Sequence, residues 1–162
     1  MRKELQDRLY EKYPEIFKDK DGNPQETLMC FGISCGDGWY FLINNLCESI
    51  KNYVDWKNRI AKPEEGKDKI SVVAEQVKEK YGSLRFYVRG SDDYVNGLIG
   101  MAESISKNTC EYTGNFGIMR GMVKLKCTSF DITKRSATKE EIDYVYNQVL
   151  EMEKEPVQKL PS

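Results

Sequence analysis

The sequence predicts an α+β fold: a small antiparallel sheet packed against two or three helices, with a degenerate zinc-ribbon-like region and a C-terminal helix. Three observations predict it. Leu42, Ile43, Leu46, Ile50, Tyr53 and Val54 recur at helical spacing, with polar residues between them. Leu84, Phe86 and Val88 alternate with Arg85, Tyr87 and Arg89, the period of a strand with one buried face. Thr138-Lys139-Glu140-Glu141 is a capping box that opens the last helix.

Taken in order, Leu5, Leu9, Tyr10 and Tyr13 mark a first helix over Arg2 to Tyr13, ended by Pro14. Lys18 to Pro24 is a polar loop. Its oxygens at Asp19, Asp21 and Asn23 resemble a calcium loop only faintly, because Cys30 stands where a bidentate glutamate belongs. Leu28 to Ile33 is expected to be a short strand. The central helix runs from Asp37 to about Ile60, with Asn44, Asn45 and Glu48 on its polar face. Lys62 to Lys69 is a charged loop.

Val72 to Lys78 fits either a helix or a strand. The β-branched start and the glycine of Lys80-Tyr81-Gly82-Ser83 favour two strands joined as a hairpin. Ser91-Asp92-Asp93 caps a helix to about Lys107, with Val95, Leu98, Ile99, Ala102 and Ile105 expected inward. Gly97 and Gly100 weaken it and leave room for another element to come close. A further β stretch is expected at Met122 to Cys127. The capping-box helix carries Ile142, Val145, Val149 and Met152 on one side and stops before Pro156. The chain reads as one domain over 1–155, with 156–162 a flexible tail.

Composition narrows the function. At 162 residues, with 40% hydrophobic and 31% charged residues, the chain can bury a full core. It contains no histidine, which removes the commonest general base, the Ser-His and Cys-His pairs, and the imidazole metal ligands. The reading is therefore non-enzymatic. No apolar run follows Met1-Arg2-Lys3-Glu4-Leu5, and no stretch has the length of a membrane span, so a cytoplasmic protein is expected. Five cysteines at irregular spacing then suggest free thiols.

Cys35-Gly36-Asp37-Gly38-Trp39-Tyr40 concentrates two glycines, an acid, a thiol and two aromatics before the central helix. It is either a turn and cap or one wall of a site; the missing bases favour architecture, with Trp39 in or beside the core. Cys35 at a helix start could have a lowered pKa, but it has no histidine partner. Cys110-Glu111-Tyr112-Thr113-Gly114 is half of a zinc knuckle, with Thr113 in place of the second cysteine. Zinc at Cys110 and Cys127 is disfavoured, because two thiolates do not complete a structural site; two buried free thiols are expected instead. No other cofactor is expected.

Arg120, Lys124 and Lys126 form a basic stretch, and Arg85, Tyr87 and Arg89 share one strand face. Either could meet an anion or an acidic partner surface, and either could equally be an ordinary solvated face.

Three blocks together, Cys35-Gly36-Asp37-Gly38-Trp39-Tyr40, then Gln76 to Tyr87, then Thr109 to Gly114, resemble a family of small bacteriophage and prophage proteins. The resemblance covers about residues 30 to 127 and departs from the family pattern at Thr113. It implies a phage source and a shared fold, and carries no activity. The function it suggests is a binding protein that occludes a factor of the infected host cell, such as an anti-phage defence protein or its nucleotide signal. Trp39, Tyr40, Arg85, Tyr87, Arg120, Lys124 and Lys126 are the expected contact residues, and the partner a host protein or small anionic ligand. A nucleic-acid-binding module with a degenerate ribbon, and an enzyme using Cys35 or a carboxylate, stay open as alternatives. An exposed tyrosine-rich surface is compatible with a homodimer, and nothing in the sequence requires one.

Overall fold

From the N-terminus the chain forms α1 (Lys3–Lys12), β1 (Ile33–Ser34), α2 (Tyr40–Ile60), β2 (Val73–Lys80), β3 (Ser83–Arg89), α3 (Asp93–Ser106), β4 (Gly117–Met119), β5 (Leu125–Cys127) and α4 (Lys139–Met152). The computed structural model describes residues 1–60, 69–119, 125–127 and 138–152, with 118–119 and 125–127 as backbone. The expected strand residues 122–124 and the tail 156–162 lie outside the described residues.

The main sheet has the order β1-β2-β3. β2 and β3 are the expected hairpin. Tyr81 and Gly82 at its tip have φ of 54° and 77°, the positive values that a two-residue turn requires. β1 pairs with β2 in parallel, so the sheet is mixed where a purely antiparallel one was expected. The reason lies in the chain between them: α2 carries the chain back before β2 starts, and such a crossover returns a strand in parallel. The expected strand at Leu28 to Ile33 shrinks to β1. Met29–Phe31 forms a 3-10 turn, fixed by a 3.1 Å hydrogen bond from the Met29 N–H to Thr27 Oγ1.

The core lies between the sheet and the helices. α2 buries Ile43, Leu46, Cys47 and Ile50, α1 buries Leu5 and Leu9, and the sheet contributes Val77, Leu84 and Phe86. Asn44 was expected on the polar face of α2 but is buried. Its side-chain oxygen accepts from Tyr13 Oη at 2.9 Å and Lys12 Nζ at 2.9 Å, so the end of α1 supplies the partners that a buried amide needs.

Asp92 caps α3 as expected, accepting from the Val95 N–H at 3.1 Å. The C-terminal half of α3 lies against the outer edge of the sheet. Ser106 Oγ accepts from the Leu84 N–H at 2.8 Å and donates to the Glu103 carbonyl at 2.6 Å. Glu103 Oε1 accepts from the Phe86 N–H at 3.4 Å. Side chains thus occupy an edge that would otherwise be free to pair. Val95, Ile99 and Ala102 point inward, but Leu98 is only half-buried and Ile105 is exposed. The apolar residues of α3 span two stripes, and one core face takes only one of them.

The capping box of α4 forms as expected: Glu141 Oε2 accepts from the Thr138 N–H at 2.8 Å, and Thr138 Oγ1 accepts from the Glu141 N–H at 3.2 Å. α4 packs on the Asp37–Trp39 turn and buries Val149, while Met152 is exposed. β4 and β5 form a separate two-stranded ladder pairing Gly117 with Cys127. Among the described residues, no helix is long and apolar enough to cross a membrane.

Candidate contact surface

Trp56 is an aromatic residue out of phase with the buried stripe of α2, and Tyr94 lies in the first turn of α3, two residues after its cap. Neither position can reach the core, and both rings are about half exposed. Tyr53 lies between them. It stacks on Tyr94 with ring centroids 4.3 Å apart and 25° between planes, and it tilts against Trp56 at 6.0 Å. Together with Leu98 these rings line a cleft of about 760 Å³ between α2 and α3, which Ser49, Asn52 and Lys57 complete.

A polar network fixes the central ring, Tyr53. The Tyr53 hydroxyl donates to Asp92 Oδ2, and Lys57 Nζ stands 3.5 Å from the same oxygen and over the Tyr53 ring. Asp92 therefore does two jobs: one carboxylate oxygen caps α3 and the other anchors the cleft. Its pKa is lowered, first by the Tyr53 hydrogen bond and then by the Val95 N–H. Tyr53 is raised by the same hydrogen bond, and Lys57 is raised by its contact with the Tyr53 oxygen. The cleft offers exposed aromatic surface held in one geometry, which suits recognition, with one cation at hand.

The residues expected from sequence are placed differently. Trp39 and Tyr40 are fully buried, so these two belong to the core and present nothing to a partner. Arg85 donates to Ser83 Oγ at 2.6 Å and the Leu84 carbonyl at 2.8 Å, and it faces Glu103 at 3.5 Å. Arg89 pairs with Asp19 and lies 3.8 Å from Glu75. The expected cationic face is thus matched by acids from neighbouring elements. Tyr87 is exposed and lies beside Glu26, Leu28 and Gln76 in a shallow groove. Arg120 and Lys124 lie outside the described residues, and Lys126 is described only as backbone paired with Ile118.

The Cys35–Tyr40 turn is the meeting point of the two ends of the fold. The Gly38 N–H donates to the Glu111 carbonyl at 2.8 Å, and Trp39 Nε1 donates to the Thr109 carbonyl at 2.8 Å. Buried Asp37 accepts from the Arg2 N–H at 2.7 Å and pairs with Arg2 Nε at 3.1 Å. Arg2 in turn bonds Asp143 and lies 4.1 Å over the Tyr146 ring, which ties α4 to the turn. Cys35 is buried, and burial pushes its thiol up to about 12, opposite to the lowered value a helix start would give. It is a poor nucleophile there.

Cys110 is buried and disulfide-bonded, where a free thiol was expected. The tight turn from Cys110 to Gly114 and the ladder behind it fold the chain back on itself, which spacing alone did not show. A sulfur in a disulfide offers no thiolate to a metal. Among the described residues, no group of three or more Cys, Asp and Glu side chains is placed to hold a metal ion.

Sequence reasoning missed Tyr53, Trp56 and Tyr94 as a surface. Trp56 carried a usable signal, since it stands between Asp55 and Lys57 and off the apolar stripe. The Tyr53–Tyr94 stack carried none, because it joins positions 41 residues apart. No family model matches the chain, and no curated protein and no solved structure matches it either.

Proposed function

We propose that this chain is a non-enzymatic binding protein that occludes a partner protein through the α2–α3 aromatic cleft. The observation that carries the reading is the pair of exposed rings, Trp56 and Tyr94, set on half-buried Tyr53, which Asp92 anchors. Aromatic side chains in fixed positions lose little entropy on binding and dominate contact energies at interfaces. The buried, high-pKa Cys35 supports a non-catalytic role. The resemblance to phage proteins supports a factor of the infected host cell as the partner, and a defence protein is the form we favour.

The test is affinity capture from host lysate with the wild-type chain and with Trp56→Ala, the eluates being analysed for proteins and nucleotides. A single stoichiometric partner is expected with the wild type. Trp56→Ala should weaken that complex by about 30-fold or more, the loss of roughly 2 kcal/mol typical of a central aromatic contact, while the melting temperature stays unchanged. Retention of no partner by the wild type, or equal retention by both chains, would overturn the reading.

A further inference from the structure

The outer face of α3 is unlike a solvated helix surface. Tyr94, Met101 and Ile105 are 56%, 59% and 47% exposed, and half-buried Leu98 lies in line with them. Their spacing of four, three and four residues forms one straight stripe along the helix. Beside the stripe lie Gly97, Gly100 and Ser104, all exposed, and a Cβ built on either glycine meets nothing within 4 Å. Between Asp93 and Lys107 the one charged residue is Glu103, which is turned to the sheet edge and Arg85. Each helical glycine costs about 1 kcal/mol relative to alanine, and no packing among the described residues requires either.

We infer that this face is the interface of a two-fold symmetric homodimer, in which α3 packs antiparallel on α3 of a second copy. A two-fold interface must be complementary to itself, and this face is. The spacing of the stripe reads the same in both directions. Reversal sets Tyr94 opposite Ile105 of the second copy and Leu98 opposite its Met101. The two-fold also brings both small flanks to the same side, where Gly97 and Gly100 let the helix axes approach.

Charge complementarity selects the antiparallel sense. Asp93 and Lys107 bracket the uncharged face, both exposed, and neither forms an ion pair among the described residues. Antiparallel packing brings Asp93 of each copy to the end of the helix pair where Lys107 of the other stands. Parallel packing would set like charges together at both ends, which is unfavourable. Tyr94 and Leu98 belong to both the stripe and the cleft, so the cleft borders the interface, with Trp56 and Lys57 on its α2 wall. The inference goes beyond the binding function and does not depend on it.

The test is sedimentation equilibrium on the full chain alone, from about 1 to 100 μM. The expected result is a species of twice the 18.8 kDa chain mass. Met101→Glu should raise the dimer dissociation constant by at least tenfold, since it buries a charge at the centre of the stripe. Asp93→Lys and Lys107→Asp should each weaken the dimer, and the double variant should restore it. Far-ultraviolet circular dichroism confirms that each variant is folded. A wild-type monomer across the whole range overturns the inference. So does a dimer unaffected by Met101→Glu, or a charge swap that fails to restore association. Loss of partner capture in Trp56→Ala leaves the mass unchanged, so the dimer and the binding function fail separately.

Discussion

A methyl group added at Gly38 would sit 2.3 Å from the Gly114 nitrogen and 2.6 Å from both the Cys110 oxygen and the Thr113 nitrogen. All three are backbone atoms, so no rotamer change relieves the clash and the two turns must part. Gly38→Ala is therefore expected to destabilise by about 3 kcal/mol, at the upper end of overpacking costs, measured by urea denaturation. Arg2→Ala leaves buried Asp37 with one fewer charged donor, and a loss of about 2 kcal/mol is expected on the same assay. Cys35 gives a chemical test of burial. With its thiol at about 12, about one molecule in ten thousand is ionised at pH 8. Ellman's reagent should react with Cys35 only on unfolding, and Cys35→Ser should leave partner binding intact.

The elements differ in how far sequence could foresee them. α1, α2 and α3 were legible because their core stripes repeat over several turns and their ends carry local signals, Pro14 and Asp92 among them. The β2–β3 hairpin was legible through the strict alternation from Leu84 to Val88 and the glycine at its tip. The parallel pairing of β1 was not, since a two-residue strand has no period to read. The burial of Asn44 was hidden for a related reason: its partners come from α1, 31 and 32 residues away. The contact surface was the least legible part. Trp39 was expected in or beside the core and lies there, but Trp39 and Tyr40 fail as contact residues, because the glycines beside them let the backbones close over both rings.

Asp92 yields a pH prediction for α3. Its folded pKa lies below its ordinary value of 3.8, so its stabilisation is present above pH 4 and is lost as the pH falls through the folded pKa. Asp92→Ala should cost about 1 kcal/mol at pH 7, a typical capping loss. That difference should shrink in acid below the folded pKa, where the wild-type carboxyl is also neutral. Asp92→Asn keeps the cap but not the charge beside Lys57, so it should recover most of the loss.

At the scale of the molecule, the sheet serves as a support and the helices present the surface. The buried turn at residues 35–40 holds together α1, α4 and the turn at 109–114, and the exposed aromatic residues lie on α2 and α3. The capped sheet edge carries a consequence of its own. The Leu84 and Phe86 amides are bound to Ser106 and Glu103, so they should exchange with deuterium as slowly as amides inside the β2–β3 ladder, although no strand among the described residues lies beyond them. Ser106→Ala should release the Leu84 amide first. An incoming peptide strand would find these donors taken, which directs association away from fibre-like sheet extension and towards helical docking.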